Sequence, residues 1–233
     1  MINIVKSDSR GKSETEWLES YHSFSFSEYY DEDNINFGPL RVINHDFISP
    51  SSGFPTHPHD NMEIVTYVIK GTLTHTDSMG TKKNIVKNEV QKMTAGTGLY
   101  HSEFNYSKDE PVELIQIWII PEKQGLSPKY SQEIIPENAA KNKLYKIVSH
   151  ISADGLLKIN QMADIFIAEL DEAKEIDYEG TTGDGTYVYL ISGEINVNDT
   201  TLKQGDAAKV LNEKELKIRA NVDSKVMLFN VNL

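Results

Sequence analysis

The chain contains no cysteine. That excludes a disulfide framework and any thiolate metal site, and it fits the reducing cytosol. Positive charge is scarce: 23 Lys and Arg face 35 Asp and Glu, for a net charge of −12 and a pI near 5.0. Such a surface repels phosphate backbones, and no basic run offsets it, so direct, sequence-independent nucleic-acid binding is not expected. Long apolar runs are also missing. Met1-Ile2-Asn3-Ile4-Val5-Lys6 lacks the apolar core of a signal peptide. The strongest apolar stretch, Leu114 to Ile120, is far too short to span a bilayer. A cytoplasmic chain with no membrane role is expected. There is no Gly-x-Ser-x-Gly elbow, P-loop or dinucleotide-type glycine fingerprint. Gly96-Thr97-Gly98 has only two glycines and leads to His101, not to a helix signal.

What is present points to β-structure. Eleven tyrosines and eight phenylalanines favour strands over helices. The apolar period is mostly two, with turn residues at short intervals, which predicts an all-β sandwich or barrel. Val65-Thr66-Tyr67-Val68-Ile69 reads as a strand and Asp77-Ser78-Met79-Gly80 as a following turn. Leu114 to Ile120 reads as a strand buried on both faces and stopped by Pro121. Between Pro121 and Lys146 the period fades, and Pro136-Glu137-Asn138-Ala139-Ala140-Lys141 reads as the start of a short helix, with proline in its first turn.

The two sides of that bridge look like copies. Tyr67-Val68-Ile69-Lys70-Gly71-Thr72-Leu73 resembles Tyr189-Leu190-Ile191-Ser192-Gly193-Glu194-Ile195, a shift of 122 residues. A turn, a strand and a second turn follow in each (Lys87-Asn88-Glu89 against Lys203-Gln204-Gly205-Asp206). Two β-domains of one design are expected, residues 1–130 and 131–233.

Of seven histidines, three lie in two short pairs: His57-Pro58-His59 and His101-Ser102-Glu103. Spacing i, i+2 puts both side chains on one face of a strand. Alone, the first pair is more often two exposed histidines beside a turn, and His101 more often a hydrogen-bonded histidine than a ligand. Together, with one hairpin's worth of sequence between them, they can aim three imidazoles and one carboxylate at one point. That set suits one divalent Fe, Mn, Ni, Cu or Zn ion, and four ligands leave two of six positions open. Glu63 is a rival carboxylate, or a group that orients a ligand. Asn105 closes a turn or hydrogen-bonds the same shell. His22, His45, His75 and His150 lack a second metal-type residue at the right spacing, so His75 reads as a structural hydrogen bond. Trp118 and Met93 read as core. The repeat supplies a control: shifted, Glu179 and Thr181 stand opposite His57 and His59, and Ile218 and Ala220 opposite His101 and Glu103. The donor set is therefore expected in the first half alone, which favours chemistry over folding.

Several strings carry a resemblance. Gly53-Phe54-Pro55-Thr56-His57-Pro58-His59 with Glu63 and Gly71 resembles the first cupin motif, and Met93 to Asn105 the second. His57 to Tyr67 and Ala95 to Glu103 are similar to the pirin family. So are His22-Ser23-Phe24-Ser25-Phe26 and Gln116-Ile117-Trp118-Ile119. The resemblance implies a bicupin of two jelly-roll domains with metal only in the first. Its ligands would be His57, His59, His101 and Glu103, and Fe(II) is the expected ion. It also implies a quercetinase-like dioxygenase acting with O2 on flavonols such as quercetin and releasing carbon monoxide. Glu103 is then the expected catalytic base, and Glu63 and Asn105 are support. The alternative is a metal- or redox-sensitive regulator that binds a transcription factor or metabolic enzyme. A monomer is expected in either case. Pro55 and Lys87-Asn88-Glu89 depart from the family pattern; Asn88 can still take a left-handed turn.

Overall fold

A computed structural model describes residues 1–180, 184–213 and 215–233, with Asp184 described through its backbone alone. Among these residues are 22 strands and one short 3-10 turn, Ser7–Ser9. None forms a helix long and apolar enough to cross a membrane. The chain divides into two compact units. One comprises Gly11–Ile134 with Ile159–Gln161; the other comprises Met1–Arg10, Ile135–Lys158 and Met162–Leu233. This differs from a single cut after residue 130, for reasons of edge pairing. Lys129–Ile134 adds to Glu89–Thr94 at the edge of the first unit, whereas Ile2–Val5 adds to Ala207–Leu211 at the edge of the second.

Each unit has one seven-stranded and one four-stranded sheet. In the first unit the large sheet runs Lys129–Ile134, Glu89–Thr94, Glu63–Lys70, Val112–Ile119, Leu40–Ile48, Leu18–His22, Gly11–Glu14. The small sheet runs Ser52–His59, Leu99–Asn105, Thr72–Asp77, Lys82–Val86. Alternation dictates the layering: Val68 and Leu114 from the large sheet meet Leu73 and Ile85 from the small one in a single buried cluster. Full burial of each such side chain contributes about 1.5–3 kcal/mol. The second unit repeats the plan around Val188, Leu190, Ile195, Leu216 and Leu228.

The copied string has a physical cause. Gly71 and Gly193 follow equivalent central strands and hold φ of 80° and 92°, where a side chain is strained. A Cβ on Gly71 would also lie 2.6 Å from the Pro111 carbonyl oxygen, and one on Gly193 2.2 Å from Ser224 Oγ. Asn88 takes the left-handed turn expected of it, φ 63°. The helix expected at Pro136 is absent. Asn138 adopts φ 59°, and the segment closes as consecutive turns, Ala139 N–H to Pro136 O and Lys141 N–H to Asn138 O.

Candidate metal centre

The two pairs land on neighbouring antiparallel strands, with His101 directly opposite His57 and Leu99 opposite His59. In Ser52–His59 the two histidines turn inward while Pro55, Thr56 and Pro58 are exposed. In Leu99–Asn105 strict alternation buries His101, Glu103 and Asn105. One extra residue lies on Ser52–His59 between Phe54 and His57, opposite the step from His101 to Glu103, and this bulge bends that strand against Glu103. Gly53 permits that approach, since a Cβ there would sit 2.2 Å from the Glu103 carbonyl oxygen.

The rings of His57, His59 and His101 form a triangle with centroid separations of 4.8, 4.4 and 4.9 Å. Their nitrogen donors lie within 4.8 Å of one another. Glu103 joins the cluster through a second, overlapping set with His101 and His75. The four expected ligands therefore meet as two sets sharing His101, and His75 stands where sequence reasoning placed only a structural hydrogen bond.

Partners assign the tautomers. His57 Nδ1 must donate to the Pro55 carbonyl at 2.8 Å, leaving Nε2 bare. The Asp77 carboxylate accepts from His75 Nε2 at 3.0 Å, so His75 Nδ1 accepts from His101 Nδ1 at 3.4 Å. His101 Nε2 is then bare as well, and it lies 3.0 Å from His57 Nε2. Two facing lone pairs at that distance repel unless a cation lies beside both. Two donors at right angles about an ion, each roughly 2.1 Å away, would be separated by about 3.0 Å. Burial, and then the neighbouring imidazoles, push His59 down to about 4 and His101 down to about 3. Both are neutral at pH 7, as ligation requires.

The carboxylate of Glu103 accepts from Gln116 Nε2 at 2.7 Å and is approached by Thr66 Oγ1 at 3.5 Å. Trp118 Nε1 donates to Gln116 Oε1 at 3.2 Å, which turns the amide nitrogen toward Glu103. The Trp118 ring is edge-on to His59 at 4.8 Å. Read from sequence as core, Trp118 is half-buried and walls the site; Met93 is core, packed with Ile64 and Leu99. Tyr130 lies 4.9 Å from His75, and burial raises its hydroxyl pKa. Gln116 is one of two polar residues, with Glu113, in an otherwise apolar strand.

Glu63 has other company. It is fully buried, and its oxygens meet Lys92 Nζ at 2.6 Å, Asn160 Nδ2 at 2.9 Å and Thr94 Oγ1 at 3.3 Å. Asn105 donates to the carbonyls of Ile48, Ser49 and Glu110 and accepts from Ser107 N–H. Its contacts match the turn-closing alternative.

Among the described residues, the second unit lacks the set. Sheet pairing places Val197 opposite Ile218 as His75 is opposite Glu103. Leu216 then stands for His101 and faces Tyr178 in the place of His57. The sequence alignment was two residues out on this strand, because the turns that lead to it are shorter in the second unit. Thr181, aligned there with His59, lies outside the described residues. Leu216, Ile218 and Tyr178 are buried, so the second unit fills with hydrocarbon the space where the first gathers donors.

Two β-sandwiches with a histidine–carboxylate cluster in the first define a two-domain cupin. The chain belongs to the pirin family. Residues 4–119 match the Pirin family model and residues 146–231 the model described as Quercetinase C-terminal cupin domain. A protein of Escherichia coli (strain K12) named Quercetin 2,3-dioxygenase is 38% identical over 231 residues, covering 99% of each chain. The Pirin-like protein of Caulobacter vibrioides is 36% identical, covering 98% of each. Among solved structures, the bacterial pirin YhhW from Escherichia coli in complex with nickel(II) superposes with a TM-score of 0.95. It is 37% identical and the match covers 100% of this chain and 99% of that one.

Proposed function

We propose that the chain is a metal-dependent dioxygenase that opens flavonols such as quercetin with O2 and releases carbon monoxide. The observation that carries this reading is the facing pair of bare imidazole nitrogens, His57 Nε2 and His101 Nε2, 3.0 Å apart. It sits in a chain similar over its full length to a protein named for that reaction.

His57, His59, His101 and Glu103 would hold the ion. When bound, a divalent transition metal supplies Lewis acidity to a coordinated hydroxyl and access to dioxygen chemistry. Fe(II) is the expected ion, and the nickel(II) complex of YhhW makes nickel the first alternative.

The protein groups do the rest. Asp77 and His75 fix the His101 tautomer through the other ring nitrogen, a device that raises ligand basicity and holds ring orientation. His57 and His59 are only partly buried, which leaves an approach for a planar aromatic molecule, and the Trp118 edge borders it. Glu103, held by Gln116 and Thr66, takes the proton of the 3-hydroxyl at a carboxylate oxygen. The deprotonated, electron-rich ring is the species that O2 attacks.

Aerobic incubation of metal-loaded protein with quercetin tests the proposal. Loss of flavonol absorbance with carbon monoxide release is expected, and neither occurring would sink it. Comparing Glu103→Gln with Glu63→Gln tests the ligand choice: bound metal should fall in the first and hold in the second.

A further inference from the structure

Gln91 is 1% exposed, and neither its Oε1 nor its Nε2 has a hydrogen-bond partner. A buried amide with nothing bound to either end is costly and calls for an explanation. Its place in the sheet supplies one. Asn44, Gln116, Thr66, Gln91 and Gln132 are directly opposite one another on successive strands. Side chains opposite in an antiparallel ladder share a face, with Cβ atoms about 5 Å apart. Thr66 and Gln116 both reach the Glu103 carboxylate, so this face is the one turned to the histidine cluster. On the far side Gln132 is bonded to Tyr130, whose ring packs on His75. Gln91 thus stands in the row between Thr66, which approaches Glu103, and Gln132, which is bonded to the aromatic wall on His75. Its neighbours in the row are engaged; its own donor and acceptor are not.

We infer that Gln91 is a specificity-determining residue that hydrogen-bonds a ring hydroxyl of the substrate, away from the hydroxyl held at the metal. A primary amide offers N–H and C=O side by side, and a phenolic hydroxyl both donates and accepts. The class of ligand is therefore a polyhydroxylated aromatic rather than a bare one. The inference rests on the flavonol reading and sharpens it: it predicts discrimination among flavonols by their remaining hydroxyls.

The test pairs Gln91→Met with two ligands, quercetin and 3-hydroxyflavone, which shares the metal-binding hydroxyl but lacks the others. Metal content is first matched between variant and parent. By titration calorimetry, and in KM if turnover is seen, the variant should lose about tenfold for quercetin and nothing for 3-hydroxyflavone. An equal loss for both ligands, or none for either, overturns the inference. Melting of the ligand-free proteins is a second readout. Gln91→Met should melt at the same or a higher temperature, because an unmet buried amide has gone. A clear fall would mean the amide is satisfied in the resting protein, by a held water for example, and would also overturn it. If the parent neither binds nor consumes any flavonol, the dioxygenase reading fails, and resorcinol then decides on Gln91 alone. Parent protein binding resorcinol more tightly than Gln91→Met supports the contact, and equal binding removes it.

Discussion

Replacing Lys92 by methionine keeps the length of the side chain and strips its charge. Lys92 is 2% exposed and Glu63 fully buried, with Nζ and Oε2 2.6 Å apart. Burial lowers the lysine pKa while the Glu63 charge works against that, so the ammonium form of Lys92 depends on the carboxylate beside it. With the ammonium gone, Glu63 keeps only Asn160 and Thr94, two neutral donors for a carboxylate out of water. Breaking such a pair costs about 3–5 kcal/mol, or roughly 6–20 °C in melting temperature for a chain of this size. Removing both charges, as Glu63→Leu with Lys92→Met, leaves no uncompensated ion and should recover most of the loss, to within about 2 kcal/mol of the parent. Urea unfolding of parent, both single variants and the double variant completes the cycle, with metal analysis on each. The reasoning is refuted if the double variant is as unstable as Lys92→Met. It is also refuted if folded Lys92→Met loses its metal, since Glu63 would then serve the cluster and not the lysine.

Other consequences can be measured directly. In metal-free protein the folded His59 and His101 resist protonation down to about 4 and 3, whereas unfolded imidazoles titrate near 6.5. The unfolded state therefore binds more protons between those limits, and stability should fall as pH drops from about 6.5 toward 3, by roughly 5 kcal/mol from the buried His101 and by a smaller, solvent-screened amount from the part-exposed His59. It should be flat just above that window, and denaturant midpoints against pH would show it. His75→Ala, or Asp77→Asn, should weaken metal affinity about 10–100-fold with all four proposed ligands intact, as read by chelator competition; unchanged affinity would free His101 from this support. Deleting residues 1–6 removes the strand paired to Ala207–Leu211 and the Lys6–Asp206 ion pair at 2.9 Å. Proteolysis should then quicken in the second unit, with metal content unchanged.

The donor cluster was legible because the pleat has a period of two. His57 with His59, and His101 with Glu103, needed only to be strands to face one way. The repeat was legible because Gly71 and Gly193 are constrained alike by φ and by space. What escaped depends on pairing between distant strands. His75 is a single histidine whose partners lie on the next strand and two residues along its own, so no spacing rule marks it. Gln116 has no spacing signal of its own, and its role shows only once Glu103 is placed against it. Trp118 looked apolar enough for the core, and only the position of His59 shows that it borders the site. The shorter turns of the second unit shifted the internal alignment by two residues on this strand, a change that periodicity cannot register. At Pro136 the local signal for a helix start was overridden by Asn138 in a left-handed conformation.

The strand Ile2–Val5 has a consequence in time. Met1 bonds to Leu211, 210 residues away, in a unit made almost wholly of later sequence. At translation rates of about 5–20 residues per second, that partner emerges roughly ten to forty seconds later. The segment made early must wait unpaired while the first unit can already fold. A bulky fusion ahead of Met1 would therefore register far along the chain, in the maturation of the half that carries no donors.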